Sequence, residues 1–328
     1  MIIKIIRAVI ITLVVIALAV FGLYKFVTHQ WQDEPVTYPS TNPYITELGE
    51  TMVSAHRAGK NLFPQGTMMA FEGCINSEDF ETDIFEFDVH LTADDKLIIL
   101  HDDTLDDVSN ACEYFGKTEN YAENYTYDEI HNLNLGEYFK NENGETPYQG
   151  LRGDDIPENL RILKVSDALK FTESCGKYYY TIEIKNSGEL GTKAADILHG
   201  ILTELNLKDR TIVASFNKEV ILHIEENYPD IIRSAYNMEV VALYIDSLLS
   251  INRPENYYGF DVLQVPPDKY IANMGTSRLI NYAHKNNIAV QYWTINDEDA
   301  VKTLTENGAD CIMTDYPEMA FIAVKECQ

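Results

Sequence analysis

From residue 52 onward, short runs rich in β-branched and aromatic residues recur along the chain: Met52–Arg57, Ile84–Thr92, Tyr178–Lys185, Thr211–Phe216, Ile231–Met238, Phe260–Pro266, Ala289–Ile295 and Cys311–Tyr316. Runs of this length and composition read as strands. Between most of them apolar positions return at helical spacing, as in Thr67–Asn76, Thr192–Leu205, Lys218–Tyr228, Ser277–Asn286 and Asp297–Asn307. Thr67 and Asp297 stand where N-caps belong, and Gly308 follows the last of these helices as a C-terminal cap would. Eight strands alternating with helices over residues 51–325 predict a (β/α)8 TIM barrel. A doubly wound open sheet is the alternative, disfavoured because no Gly-rich phosphate loop follows the first strand. The run Lys96–His101 predicts an extra strand, paired with Ile84–Thr92 through the polar turn Ala93-Asp94-Asp95. Residues 103–165, rich in Asn, Glu, Tyr and Gly, keep neither period. They read as an insertion between strands 2 and 3, expected over the mouth of the barrel, where long insertions tend to select ligands.

The N-terminal pattern is different. Ala8 to Tyr24 is apolar and free of charge, at the short end of what spans a hydrocarbon core. Lys4 and Arg7 precede it, and Asp33 and Glu34 follow. The positive-inside bias then places the N-terminus in the cytoplasm and the folded body outside the membrane. A cleaved signal peptide is the rival, because Ala17-Leu18-Ala19 has the small-x-small form. That triplet lies inside the apolar run, and nothing small follows at His29-Gln30-Trp31-Gln32. The expected organisation is a transmembrane anchor over 1–28, a stalk over 29–50 and one barrel domain beyond.

Charge narrows the partners. The 328-residue chain carries −27 at pH 7; residues 1–28 hold Lys4, Arg7 and Lys25 and no acid, so the remainder carries −30. Such a surface repels nucleic acid and anionic headgroups at long range, which argues against nucleic-acid binding. A site for phosphate would need local positive charge from Arg, Lys or a metal. The five cysteines (Cys74, Cys112, Cys175, Cys311, Cys327) form neither a disulfide framework nor a zinc pattern.

Candidate chemistry gathers where a barrel places its active site, at the C-terminal ends of the strands. The first strand ends in His56-Arg57. In the second, Glu86 and Asp88 share one face while Phe85, Phe87 and Val89 take the other. Two inward carboxylates are costly unless a cation joins them, and oxygen ligands favour Mg²⁺ or Ca²⁺ over zinc. The Lys96–Leu100 run delivers His101 and then Asp102. In the third strand Glu183 and Lys185 share a face opposite Ile182 and Ile184. Each feature has an ordinary explanation alone: a hydrogen-bonded histidine, an exposed acidic face, a lysine neutralising a glutamate. Their convergence on one rim points to a site.

In this setting the chain resembles the glycerophosphodiester phosphodiesterases. The resemblance rests on His56-Arg57-Ala58-Gly59, Pro64-Gln65-Gly66-Thr67 before an apolar helix, Glu86-Phe87-Asp88 with His101-Asp102 downstream, and Ile182-Glu183-Ile184-Lys185. It continues through Ala214-Ser215-Phe216, Trp293-Thr294-Ile295-Asn296 and Gly308 to Thr314-Asp315-Tyr316-Pro317. It covers about residues 50–322 in order. It implies metal-dependent hydrolysis of glycerophosphodiesters to glycerol 3-phosphate and an alcohol. Glu86, Asp88 and Glu183 would ligate a divalent cation (Ca²⁺ or Mg²⁺), His56 and His101 would be the acid/base pair, Arg57 and Lys185 would hold phosphate oxygens, and Trp293 would line the pocket. The family's Pro-Glu-Asn-Thr stands here as Pro-Gln-Gly-Thr, which removes a carboxylate beside the site, and Ala58 replaces a glycine. Alternatives to be weighed are phospholipase D-like action on (lyso)phospholipids or on glycerol-phosphate polymers, and a silent glycerol-phosphate-binding module.

Overall fold

The computed structural model describes residues 2–29, 31–269 and 272–328; Met1, Gln30, Tyr270 and Ile271, which fall within the expected anchor, stalk and barrel, lie outside the described residues. Eight parallel strands carry the domain: β1 (Met52–Ala55), β2 (Ile84–Leu91), β3 (Tyr179–Ile184), β4 (Thr211–Ala214), β5 (Ile232–Arg233), β6 (Val262–Val265), β7 (Ala289–Tyr292) and β8 (Cys311–Thr314). They pair in sequence order from β1 to β5, and β1 also pairs with β8, β8 with β7 and β7 with β6. The ring closes between β5 and β6, where Ser234 bridges Val262 in parallel and the Ala235 N–H donates to Val262 O at 2.9 Å. The result is the expected TIM barrel.

The strands are shorter than their sequence runs, because each stops where its rim residues turn into loops. The extreme is β5: of Ile231–Met238 only Ile232–Arg233 is strand, and Asn237–Leu249 is already helix. The local reason is polar. The Glu239 carboxylate accepts from the Tyr236 N–H at 3.0 Å and from both terminal nitrogens of Arg233 at 2.9 Å, which starts the helix early. Helices Val165–Cys175, Asn237–Leu249 and Pro317–Glu326 lie beyond the five that periodicity predicts. Thr67 and Asp297 do cap their helices, accepting from Ala70 N at 3.2 Å and Ala300 N at 2.9 Å. The extra strand forms over Leu97–Ile99, antiparallel to β2.

Between barrel and helices the core is apolar and falls into two clusters, one with Phe71, Phe85, Phe87 and Ile182 and the other with Val290, all fully buried. Residues 103–165 have a satellite core of their own, including Leu105, Ala111, Ile130, Leu133 and Ile162, which packs on Ile98 and Leu100. All five cysteines are free thiols.

At the N-terminus Ile2–Val27 is one helix, and its stretch Lys4–Phe26, of mean hydropathy 2.8 and unburied by the rest of the chain, is long and apolar enough to cross a membrane. The expected stalk does not stand free. Residues 31–46 lie along the barrel, because their polar groups find partners there. Asn42 Nδ2 donates to Asp261 O at 2.8 Å and to Asn287 O at 3.0 Å, and the Thr46 N–H donates to Asp310 Oδ1 at 2.8 Å. Tyr44 then seals the barrel floor, fully buried among Ile84, Ile212, Val262, Ala289 and Cys311, from the first two residues of β2, β4, β6, β7 and β8.

Candidate active site

The site grows from β1 and β2. After Ala55 the chain turns abruptly: Arg57, Ala58 and Gly59 all have positive φ (50°, 60° and 94°). Gly59 is required twice over, since a Cβ there would also lie 2.8 Å from Cys74 Sγ. This strained turn aims the Arg57 N–H at Glu86 Oε2, 2.8 Å away, and leaves His56 lining the cavity. From β2, Glu86 and Asp88 point inward as the two-residue period demands, and both are almost wholly buried. β3 contributes Glu183, and Lys185 follows it. His101 comes from the turn beyond Leu97–Ile99. All of these line one cavity at the C-terminal end of the barrel, together with Arg57, Phe216, Tyr236, Gln264 and Trp293.

Hydrogen bonds fix the orientation of both candidate histidines. His56 Nδ1 lies 2.6 Å from Asp315 Oδ1, so Nδ1 carries the proton and Nε2 faces the cavity, 3.9 Å from Glu86 Oε2. Asn296 Nδ2 donates to the other Asp315 oxygen at 2.8 Å. Burial pushes the Asp315 carboxyl up, but the hydrogen bonds from His56 and Asn296 outweigh it and hold its pKa below the usual range. His101 Nδ1 lies 2.7 Å from Asp102 Oδ1, and that hydrogen bond likewise lowers the Asp102 pKa.

The three carboxylates are mutually unfavourable. Burial, and then the neighbouring Asp88 charge, raise the pKa of Glu86 and of Glu183. Lys185 relieves part of this, with Nζ 3.1 Å from Glu183 Oε1 and 3.4 Å from Asp88 Oδ1. Asp88 Oδ2 remains buried with no partner. Among the described residues no set of three acidic, His or Cys side chains stands in ready ligand geometry, and the Lys185 ammonium lies beside two of the acids. The donor set nevertheless fits a hard divalent cation: three carboxylates on one cavity, one orphaned oxygen, and raised pKa values that a cation would reverse.

All eight residues expected in the site therefore line the same cavity: His56, Arg57, Glu86, Asp88, His101, Glu183, Lys185 and Trp293. Among the described residues none of 103–165 lines this cavity; Val108 and Leu135 instead border a side cleft with Arg57, Gln65 and His101. Sequence reasoning gave no role to Asp315 and Asn296, although both belong to the quoted motifs. It passed over His90 altogether, one more step along the inward face of β2. His90 is buried with both ring nitrogens unpartnered, and burial pushes its pKa down to about 4. Gln65, the motif departure, accepts from Arg57 Nη1 at 2.8 Å, so its contact is with the arginine.

Comparison with known proteins points in one direction. The model of the glycerophosphoryl diester phosphodiesterase family matches residues 56–319. A glycerophosphodiester phosphodiesterase of Bacillus altitudinis is 24% identical over 274 residues, covering 82% of this chain and 96% of that protein. One from Caldanaerobacter subterraneus is 24% identical over 278 residues, covering 84% and 99%. Among solved structures, a glycerophosphodiester phosphodiesterase of Agrobacterium tumefaciens superposes with a TM-score of 0.62 at 17% identity, covering 83% of this chain and 99% of that one. An Oleispira antarctica phosphodiesterase, solved in complex with the product sn-glycerol-3-phosphate, superposes with a TM-score of 0.60 at 17% identity, covering 84% and 96%. At these identities the solved structures speak for the fold.

Proposed function

The chain belongs to the glycerophosphoryl diester phosphodiesterase family, and from that premise we propose that it hydrolyses glycerophosphodiesters to glycerol 3-phosphate and an alcohol, using His56 and His101 as the proton-transfer pair. The observation that carries this reading is the convergence of His56, His101, Arg57, Lys185 and the three carboxylates on one cavity. Removal of any of these groups would break the case; all are present.

The phosphodiester sits with its non-bridging oxygens toward Arg57 and Lys185, which hold negative charge as it grows in the transition state. A divalent cation on Glu86, Asp88 and Glu183, Mg²⁺ or Ca²⁺, would add Lewis-acid neutralisation of those oxygens. One histidine takes the proton from the attacking hydroxyl, and the other returns one to the departing alkoxide. The hydroxyl is that of water or of the neighbouring glycerol carbon, the second route passing through a cyclic phosphate. Imidazoles suit both duties because their ordinary pKa lies near neutrality. Asp315 and Asp102 supply what neither ring has alone, a fixed tautomer with Nε2 free. Trp293, edge-on to Phe216 at 6.0 Å between ring centres, forms an apolar wall against the carbon skeleton of the substrate.

The test is direct. The purified protein is incubated with glycerophosphocholine, glycerophosphoethanolamine or glycerophosphoglycerol, in Mg²⁺, Ca²⁺ or EDTA, and glycerol phosphate is measured. Release that EDTA abolishes is the expected result. Retention of these diesters without any turnover, from folded and metal-supplemented protein, would overturn the proposal in favour of a binding module.

A further inference from the structure

The path of residues 31–46 decides which end of the barrel meets the anchor. The helix Ser277–Lys285 follows β6 and precedes β7, so it starts at the mouth and ends at the floor. The docked segment runs beside it in the same direction. At the mouth end the Asp33 N–H donates to Ser277 Oγ at 2.9 Å, and Asp33 pairs through both oxygens with Arg278 at 3.0 and 3.2 Å. Midway the Val36 N–H donates to Asn281 Oδ1 at 2.9 Å, and at the floor Asn42 reaches Asn287. The chain thus arrives from the anchor at the level of the catalytic mouth and only then descends.

At that level described residues on either side of the join touch. Trp31 Nε1 donates to Phe26 O at 3.0 Å, the two rings meet edge-on at 5.2 Å, and the Arg278 guanidinium stacks on Trp31 at 4.5 Å. Trp31 therefore ties the last turn of the apolar helix to the rim of the barrel. A tryptophan and an arginine stacked at the end of an apolar span are suited to the membrane–water interface. The rim also carries exposed apolar side chains: Phe216 after β4 (52% exposed) and Met238 after β5 (64%).

We propose that the barrel is held mouth-first against the membrane that carries Ile2–Val27, and that its substrates are glycerophosphodiesters presented by membrane lipid. The substrate half of the inference rests on the hydrolase reading above; the orientation half does not. A mouth facing headgroups reaches a lipid phosphodiester without lifting the lipid, whereas diesters free in solution must enter between rim and bilayer. The acidity of the body selects zwitterionic surfaces, since an anionic bilayer would repel it.

The full chain is reconstituted in phosphatidylcholine vesicles, with Cys112, Cys175 and Cys327 replaced by Ser. A fluorophore is placed at the rim (Met238→Cys) or at the floor (Glu204→Cys, exposed at the end of the helix that follows β3). The expected result is loss of rim fluorescence on adding headgroup-nitroxide lipid, with the floor label unaffected. Quenching of the floor label, or of neither, would sink the orientation. In parallel, hydrolysis of lysophosphatidylcholine in the same vesicles is compared with that of soluble glycerophosphocholine. The clamp variant Asp33→Ala/Arg278→Ala should lose about tenfold or more on the vesicle substrate, through lost effective concentration, and nothing on the soluble one. Equal loss on both, or use of the soluble diester alone by the native chain, overturns the substrate class. If neither substrate is cleaved, the hydrolase reading has failed, and the quenching still decides the orientation.

Discussion

Asp315 Oδ1 stands 2.6 Å from Nδ1 of His56 because β1 and β8 are neighbours in register, Ala55 opposite Thr314, so that the next residue on each strand meets the other side by side at the rim. Asp315 is therefore a positioning residue for His56. Asp315→Asn removes the charge and lets Nδ1 lose its preferred proton. The expected loss is about 10–100-fold in kcat with little change in KM. A pH–rate profile should show the limb belonging to His56 displaced; an unchanged profile and rate would refute the assignment.

The histidines themselves should matter more. His56→Ala and His101→Ala are each expected to lower kcat by about 10²–10⁴-fold. Steady-state assays on a soluble diester, with circular dichroism to confirm folding, check this. Full activity in both variants would remove the proton-transfer pair from the mechanism.

Gln65 offers a finer test. Its amide oxygen holds Arg57 Nη1 at 2.8 Å without adding charge. Gln65→Glu would set a carboxylate against the guanidinium and compete with the phosphate for it. KM should rise by about tenfold or less, the worth of a modest electrostatic competition, while kcat changes less. A fall in KM would show that Arg57 is not used for phosphate.

Cation binding can be read without turnover. Glu86, Asp88 and Glu183 repel one another when ionised, so a cation that they hold stabilises the fold. At a concentration about a hundredfold above Kd, Mg²⁺ or Ca²⁺ should add about 2.7 kcal/mol, seen as a rise in Tm that EDTA reverses. Asp88→Asn should abolish the rise. A Tm indifferent to both ions would refute the ligand set.

Tyr44 tests the barrel floor. Its ring is fully buried, but its hydroxyl has no partner. Tyr44→Phe should be neutral or slightly stabilising, because an unpaired polar atom is removed. Tyr44→Ala should cost about 3–5 kcal/mol in denaturant unfolding, as a large aromatic leaves a cavity. Equal effects of the two would mean that the hydroxyl, and not packing, matters.

The sequence by itself determined the barrel and most of its site. Strand and helix periods are local, so eight alternations were readable from residue 52 onward, and the two-residue period placed Glu86 with Asp88 and Glu183 with Lys185 on inward faces. Strand ends also announced His56 and His101, because an apolar run that stops at a charged residue marks a rim. Tertiary structure alone decided what depends on register and packing between distant segments. The partnership of His56 with Asp315 spans the whole domain and exists only once β1 lies beside β8. His90 shares the inward period of Glu86 and Asp88, yet only packing shows that it is buried without a partner. The insertion lies beside the mouth because its own apolar residues bury on Ile98 and Leu100. Residues 31–46, polar enough to pass for a free stalk, are fastened down because Ser277, Arg278 and Asn281 on one helix, and Asn287 just beyond its end, present matching groups. Local composition records which hydrogen bonds a segment can make; only the folded chain settles with whom.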